Sequence, residues 1–436
     1  MKVLRYRAVL AATAALALPL AACSTGGGGG GGNAPVEITF LTQSETNTAL
    51  GGQGLVDAFN AANPDIKVTM ETQPGGTEGD NLMKTKLATG EMPDVFHYNS
   101  GSLLQALNPD ENLVNLADQP WVKNLIDAML PTVSTANGTY GTPWGSSQAG
   151  AILYNKKVYA DLGLQVPKSW DEYAANNEKI KAAGKVPVIQ TFAATWSSQL
   201  YVLGDFANVA KQDPQWAEEY TKNNRKYVDQ PALQGFLNQQ ITFESGWLNK
   251  DFASIETDQG VAMLASGEGV HYPMLTGLVT TIQTNHPDQI EDIGVFPFPA
   301  QNAADTTLTI WLPNAIYIPK TTEGAKLEAA KKFVAFASSK EGGCKVQVEV
   351  LTPSGPFANK ECSLPDSVPG MLKDMQPYFD AGQTGPALEF VSPIKGPQLE
   401  NITVEVGSGI RSAADGAALY DEDVKKQAQQ LGLPGW

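Results

Sequence analysis

The sequence predicts an α/β protein of two lobes, on three observations. Apolar residues switch between a period of two and a helical period along residues 36–98, and again along 151–190; this alternation of strands and helices builds open α/β sheets. The chain has 436 residues, more than one hydrophobic core usually holds. No low-complexity linker divides residues 36–436, so ordinary backbone, crossing more than once, is expected to join the lobes.

Each element follows from its residues. Val36, Ile38 and Phe40 alternate with Glu37 and Thr39, marking a strand that runs out at Thr42-Gln43-Ser44-Glu45. Leu55, Val56 and Phe59 form a helical stripe closed by Asn63-Pro64, and Ile66, Val68 and Met70 alternate as a second strand. Leu82, Met83 and Leu87 mark a helix stopping at Gly90, before a third strand at Pro93–Tyr98. This order predicts parallel neighbours. Further on, Ala151–Tyr154 reads as a strand, and Ser169-Trp170-Asp171-Glu172 as a capping box opening a helix that ends at Gly184. Val186–Gln190, Val270 and Ile293–Phe296 read as strands, and Leu327, Ala330, Val334 and Ala337 as a helical stripe.

Composition narrows the function. Lys and Arg number 30 against 46 Asp and Glu, a net charge of −16, and past the leader arginine occurs only at Arg225 and Arg411. A nucleic-acid partner needs a clustered cationic footprint and is disfavoured. Three cysteines and three histidines leave little for a zinc or haem site, so no metal and no cofactor are expected.

The N-terminus carries an address. Lys2, Arg5 and Arg7 precede an apolar run from Ala8 to Ala22, the pattern of a secretory signal and too short to span a bilayer. The run ends in Leu20-Ala21-Ala22-Cys23, which resembles the lipobox of bacterial lipoproteins, where the cysteine becomes the lipidated first residue. Loss of three basic and no acidic residues would take the charge from −16 to −19. Ser24, Thr25 and Gly26–Gly32 then read as a flexible tether. The resemblance places the mature protein on the outer face of the cytoplasmic membrane, held by lipid. In an oxidising compartment the remaining pair, Cys344 and Cys362, suggests one disulfide, with two free buried thiols as the alternative.

A wider resemblance rests on six short stretches in order: Leu87-Ala88-Thr89-Gly90 with Pro93-Asp94-Val95; Asn137–Pro143; Ile152–Lys156; Leu264–Gly269; Ala315–Lys320; and Phe333–Phe336. Together they resemble the extracellular solute-binding proteins of carbohydrate ABC importers, family 1, which include the maltose-binding protein. The resemblance implies a periplasmic-binding-protein-like fold of the class II type, with a ligand cleft between lobes and a hinge of about three crossings, near Trp144–Gln148, Phe298–Gln301 and Leu351–Phe357. It divides the chain into a signal peptide (1–22), a lipidated cysteine and tether (23–35), one lobe (36–145 with 298–350) and another (146–297 with 351–436). It implies a monomer that captures a sugar or oligosaccharide and delivers it to a membrane permease. Where many relatives carry a Gly-Ser-Trp type loop, this chain has Met274-Leu275-Thr276, without the stacking tryptophan.

An aromatic face suits a sugar, because the pyranose C–H face is apolar while its hydroxyls need aligned polar partners. Trp144, Trp196 and Trp311 stand at turns or strand ends and are candidates, with hinge packing the alternative for Trp144. Trp121, Trp170, Trp216 and Trp247 fall in helical or acidic contexts that suit packing. Gln43 and Glu45 follow the first strand, His97 and Asn99 the third, Gln148 precedes the Leu-Tyr-Asn strand, and Phe390 lies in a C-terminal loop; a solvated loop or a backbone-satisfied histidine is the alternative.

Other functions fit less well. A lipid-anchored glycoside hydrolase needs two carboxylates across the substrate, and no H-E-x-x-H or G-x-S-x-G occurs, so no catalytic residues are expected. A scaffold would not need the α/β alternation. Within binding, a polyol or a cationic polyamine competes with a sugar.

Overall fold

A computed structural model describes residues 34–436; the leader, Cys23 and the glycine run, which carry the expectations of export and lipidation, lie outside the described residues. The chain opens as β1 (Val36–Gln43), α1 (Thr46–Ala62), β2 (Ile66–Gln73), α2 (Gly76–Thr89) and β3 (Val95–Tyr98), the order read from periodicity. β1 lies between β2 and β3 and is parallel to both, with Val36 opposite Ile66 and Phe40 opposite Val95. Leu55, Val56 and Phe59 bury the inner face of α1, each contributing about 1.5–3 kcal/mol by leaving water. α2 ends at Gly90, whose φ of 74° is the left-handed conformation that glycine adopts without strain. β4 (Gly141–Pro143) closes this stretch.

The second lobe begins with β5 (Gln148–Asn155), followed by α3 (Trp170–Ala182), β6 (Val186–Val188), α4 (Leu233–Glu244), α5 (Thr257–Ser266), β7 (Gly269–Leu275), β8 (Ile293–Phe296) and β9 (Leu308–Trp311). β5 is its central strand, antiparallel to β7 on one side and to β8 and β9 on the other. Only half of the expected capping box forms at α3. Ser169 accepts the Glu172 N–H, whereas the Glu172 carboxylate accepts Lys168 N at 2.7 Å. A reciprocal box forms at α5, between Glu256 and Gln259.

The chain returns to the first sheet as β10 (Ala315–Tyr317), antiparallel to β3 and β4, and continues as α6 (Gly324–Ala337), whose Phe333 packs on Phe40 and Phe59. The first sheet therefore runs β2-β1-β3-β10-β4. β11 (Thr384–Pro386), α7 (Leu399–Gly407) and α8 (Ala413–Gln430) complete the second lobe, where α4, α7 and α8 enclose a core of their own.

Two of the three expected crossings need correction. The first, expected near Trp144–Gln148, runs through residues 144–147, between β4 and β5. The second is not at Phe298–Gln301: Phe298 and Ala300 are buried in the second lobe, where Phe298 packs on Tyr201 and Ala300 O accepts Trp170 N. β9 then pairs with β5, Thr309 opposite Gly150, so the crossing falls at Leu312–Asn314 and residues 298–311 belong to the second lobe. The third lies beyond Leu351–Phe357. Thr352 and Ser354 do bond Thr280 and Ser146 along the hinge. Ala358, however, is buried in the first core and Asn359 Nδ2 donates to Ser338 O. Cys362 is joined to Cys344 as a disulfide, and second-lobe packing resumes at Val368 and Met371. Among the described residues no helix is long and apolar enough to cross a membrane.

Candidate functional site

The carboxyl ends of β1 and β3 point to the space between the two sheets, where open α/β folds place ligands. Gln43 ends β1, Glu45 immediately precedes α1 and Asn99 follows β3. Facing them, Gln148 opens β5 opposite Trp311 at the end of β9, and Trp196 sits in the turn Thr195–Gln199. These six line one cavity of about 550 Å³ between the lobes, within the 300–1,000 Å³ span of small-molecule sites. Both indoles are half-buried, leaving ring surface for a ligand.

Glycines shape this wall. A Cβ at Gly150 would collide with the Trp311 ring, and one at Gly277 with the Gln148 carboxamide. Near Met274-Leu275-Thr276, where the resemblance implies a stacking tryptophan in many relatives, Leu275, Gly277 and Leu278 line the cavity.

Three candidates lie elsewhere. Trp144 is buried in the hinge, beside the Cys344–Cys362 disulfide and Phe357. His97 is buried beneath it, edge-on to its ring at 5.4 Å, and desolvation pushes its imidazole down to about 4, so it is neutral at physiological pH. Phe390 packs toward Gly101 on the first lobe. Trp121, Trp170, Trp216 and Trp247 are buried.

The cavity also gathers residues that sequence reasoning missed. Asp80 comes from α2, Glu389 and Lys395 from the loops before α7, and Glu400 from α7 itself. No motif marks them, since they meet only because α7 packs across the cleft from α2. Asn314 could have been found, standing three residues after Trp311. Asp80 accepts the Tyr98 hydroxyl at 2.7 Å, and burial, foremost, raises its carboxyl above the usual range; burial also raises that of Glu45. Glu400 accepts Thr77 N and the Thr195 hydroxyl, both at 3.2 Å, so one carboxylate ties the two lobes. On the opposite wall Asn47 Nδ2 donates to Gly277 O at 3.2 Å. Among the described residues no His, Cys, Asp and Glu group could hold a metal ion.

The family model described as bacterial extracellular solute-binding protein matches residues 44–343, more than half of the chain and most of both walls of the cavity. The chain belongs to this family. This solute-binding protein is similar to the multiple sugar-binding protein of Streptococcus mutans, 22% identical over 293 residues, covering 65% of this chain and 67% of that one. It is also similar to the melibiose/raffinose/stachyose-binding protein MelE of Bacillus subtilis, 21% identical over 328 residues and covering 73% and 72%. Among solved structures, a chitin oligosaccharide binding protein superposes with a TM-score of 0.76 at 17% identity, covering 90% of this chain and all of that one. A sugar transporter from Bacillus licheniformis in complex with stachyose superposes with a TM-score of 0.72 at 20% identity, covering 91% and 100%. These structures share the two-lobed fold, and the solute-binding protein's cavity lies in the cleft that fold creates.

Proposed function

We propose that this solute-binding protein captures a sugar or oligosaccharide in the interlobe cavity and delivers it to the permease of an ABC importer. The observation that carries the reading is the pairing of Trp196 and Trp311 with Gln43, Asn99 and Gln148 around one cavity: apolar faces for a pyranose ring, and amides that both donate and accept for its hydroxyls. The similar proteins named for sugars support it. The role is binding, not catalysis. Export and lipidation at Cys23 belong to the same reading, as does a monomer, since capture needs only one chain's two lobes.

A thermal-shift panel of neutral saccharides, amino sugars, polyols, amino acids and polyamines tests the ligand class. A saccharide at about 100 times its Kd stabilises by roughly 2.7 kcal/mol. A shift with polyols, polyamines or amino acids alone overturns the carbohydrate reading, and product release at catalytic turnover from a bound oligosaccharide overturns the receptor reading. Mass spectrometry of the mature N-terminus tests the lipid on Cys23.

A further inference from the structure

This inference rests on the saccharide reading and concerns the charge of the ligand. The cavity wall carries six carboxylates, Glu45, Asp80, Glu256, Asp258, Glu389 and Glu400, against one ammonium, Lys395. Glu256 and Asp258 are exposed at the rim. The others converge inward. Glu389 and Glu400 are only 8% and 7% exposed, and Asp80 lies within electrostatic reach of both Lys395 and Glu400. Three carboxylates thus share one ammonium in a single corner.

Two of the three are already engaged, Asp80 by the Tyr98 hydroxyl and Glu400 by Thr77 and Thr195. Glu389 is not: among the described residues its carboxylate has one partner, the Lys395 ammonium at 3.7 Å, too far for a hydrogen bond. A largely buried carboxylate with no hydrogen-bond donor from the protein depends on water in the cavity, and a neutral ligand displaces that water while offering only hydroxyl dipoles. A ligand ammonium supplies both the missing donors and the missing charge. Trp196 and Trp311 accommodate either part of such a ligand, since an indole face packs on a sugar ring and also attracts a cation. A linear polyamine would leave the amides of Gln43, Asn99 and Gln148 without hydroxyl partners.

We propose that the ligand is a saccharide bearing a protonated amino group, seated with that ammonium against Glu389 in the corner formed with Asp80, Glu400 and Lys395. Titration calorimetry of the purified protein with glucosamine oligomers and with their N-acetylated counterparts of equal length tests it. The amino form is expected to bind at least about tenfold tighter, a difference of about 1.4 kcal/mol, and to weaken as salt is raised. Glu389→Gln should remove that preference, bringing the affinities for the amino and N-acetylated forms to within about twofold of each other. Should Glu389→Gln not fold, the salt dependence of the wild-type preference decides alone. Equal or tighter binding of the N-acetylated or another neutral saccharide overturns the inference and leaves the saccharide reading intact. Binding of spermidine with no saccharide bound overturns both.

Discussion

The Thr77 backbone N–H donates across the cleft to the Glu400 carboxylate at 3.2 Å, joining the first turn of α2 in one lobe to α7 in the other. The Thr77 hydroxyl adds a bond to Pro397 O, and Gly76, at φ 62°, brings the helix start close to the carboxylate. An anion at a helix N-terminus gains from the backbone donors there.

This bond should help hold the two lobes together. Glu400→Ala removes a charged hydrogen bond of about 1.5–3 kcal/mol, so small-angle scattering should record a larger radius of gyration, and ligand affinity should fall by roughly tenfold or more. An unchanged radius and affinity would show that closure rests elsewhere.

The tryptophans should separate by role. Trp196→Ala and Trp311→Ala should each weaken saccharide binding by about tenfold or more with a smaller loss of stability than Trp144→Ala, because both rings are only partly buried. Trp144→Ala should instead lower stability by roughly 3–5 kcal/mol, since that ring is 5% exposed in the hinge core. Denaturant unfolding and calorimetry on the same three variants check both statements.

Asp205 should set a pH dependence. It is buried, accepts Asn208 Nδ2 at 2.7 Å, and desolvation pushes its carboxyl up to about 7 from an ordinary 3.8. The folded state therefore binds the proton more tightly, and the stability this contributes is complete below about pH 4 and lost as pH rises through about 7. Linkage makes the full change roughly 4 kcal/mol. Asp205→Asn keeps the Asn208 bond and should be increasingly more stable than wild type from pH 5 to pH 8. His97 and His271, pushed down to about 4 and 3 by burial, act in the opposite sense at acid pH, but they do so in both proteins and cancel in the difference. A wild-type minus Asp205→Asn difference that is flat with pH would contradict the assignment.

The disulfide should anchor the hinge strand. Closing an 18-residue separation contributes about 3 kcal/mol by the chain-entropy estimate. The double variant Cys344→Ser and Cys362→Ser should lose stability of that order, and Ala358–Lys360 should exchange amide hydrogens faster. Unchanged exchange there would mean that the Asn359–Ser338 and Leu125–Asn359 contacts suffice.

Much of the first lobe was legible because its signals are local. Alternation at Val36–Phe40 and Ile66–Met70, the stripe Leu55-Val56-Phe59 and the stop at Gly90 each depend on residues a few positions apart, and the strand-end rule then points to Gln43 and Asn99. The crossing at Phe298–Gln301 failed for a reason just as physical. Pro297 and Pro299 look like the end of a strand, yet Phe298 is held by Tyr201 and Asn208, partners about 90 residues upstream. His97 and Trp144 stand where ligand contacts are expected, but the hinge packs over them.

By itself the sequence determined the strand–helix order, an acidic chain poor in arginine and a short list of amides and indoles, and it suggested but did not decide a disulfide, because periodicity, composition and turn chemistry act over short stretches. Only the tertiary structure decided which of those side chains share a cavity, where the lobes exchange chain, and that Asp80, Glu389, Lys395 and Glu400 meet. Glu400 and Asp80 are 320 positions apart, and what brings them together is the packing of two lobes on one hinge, which no local pattern records.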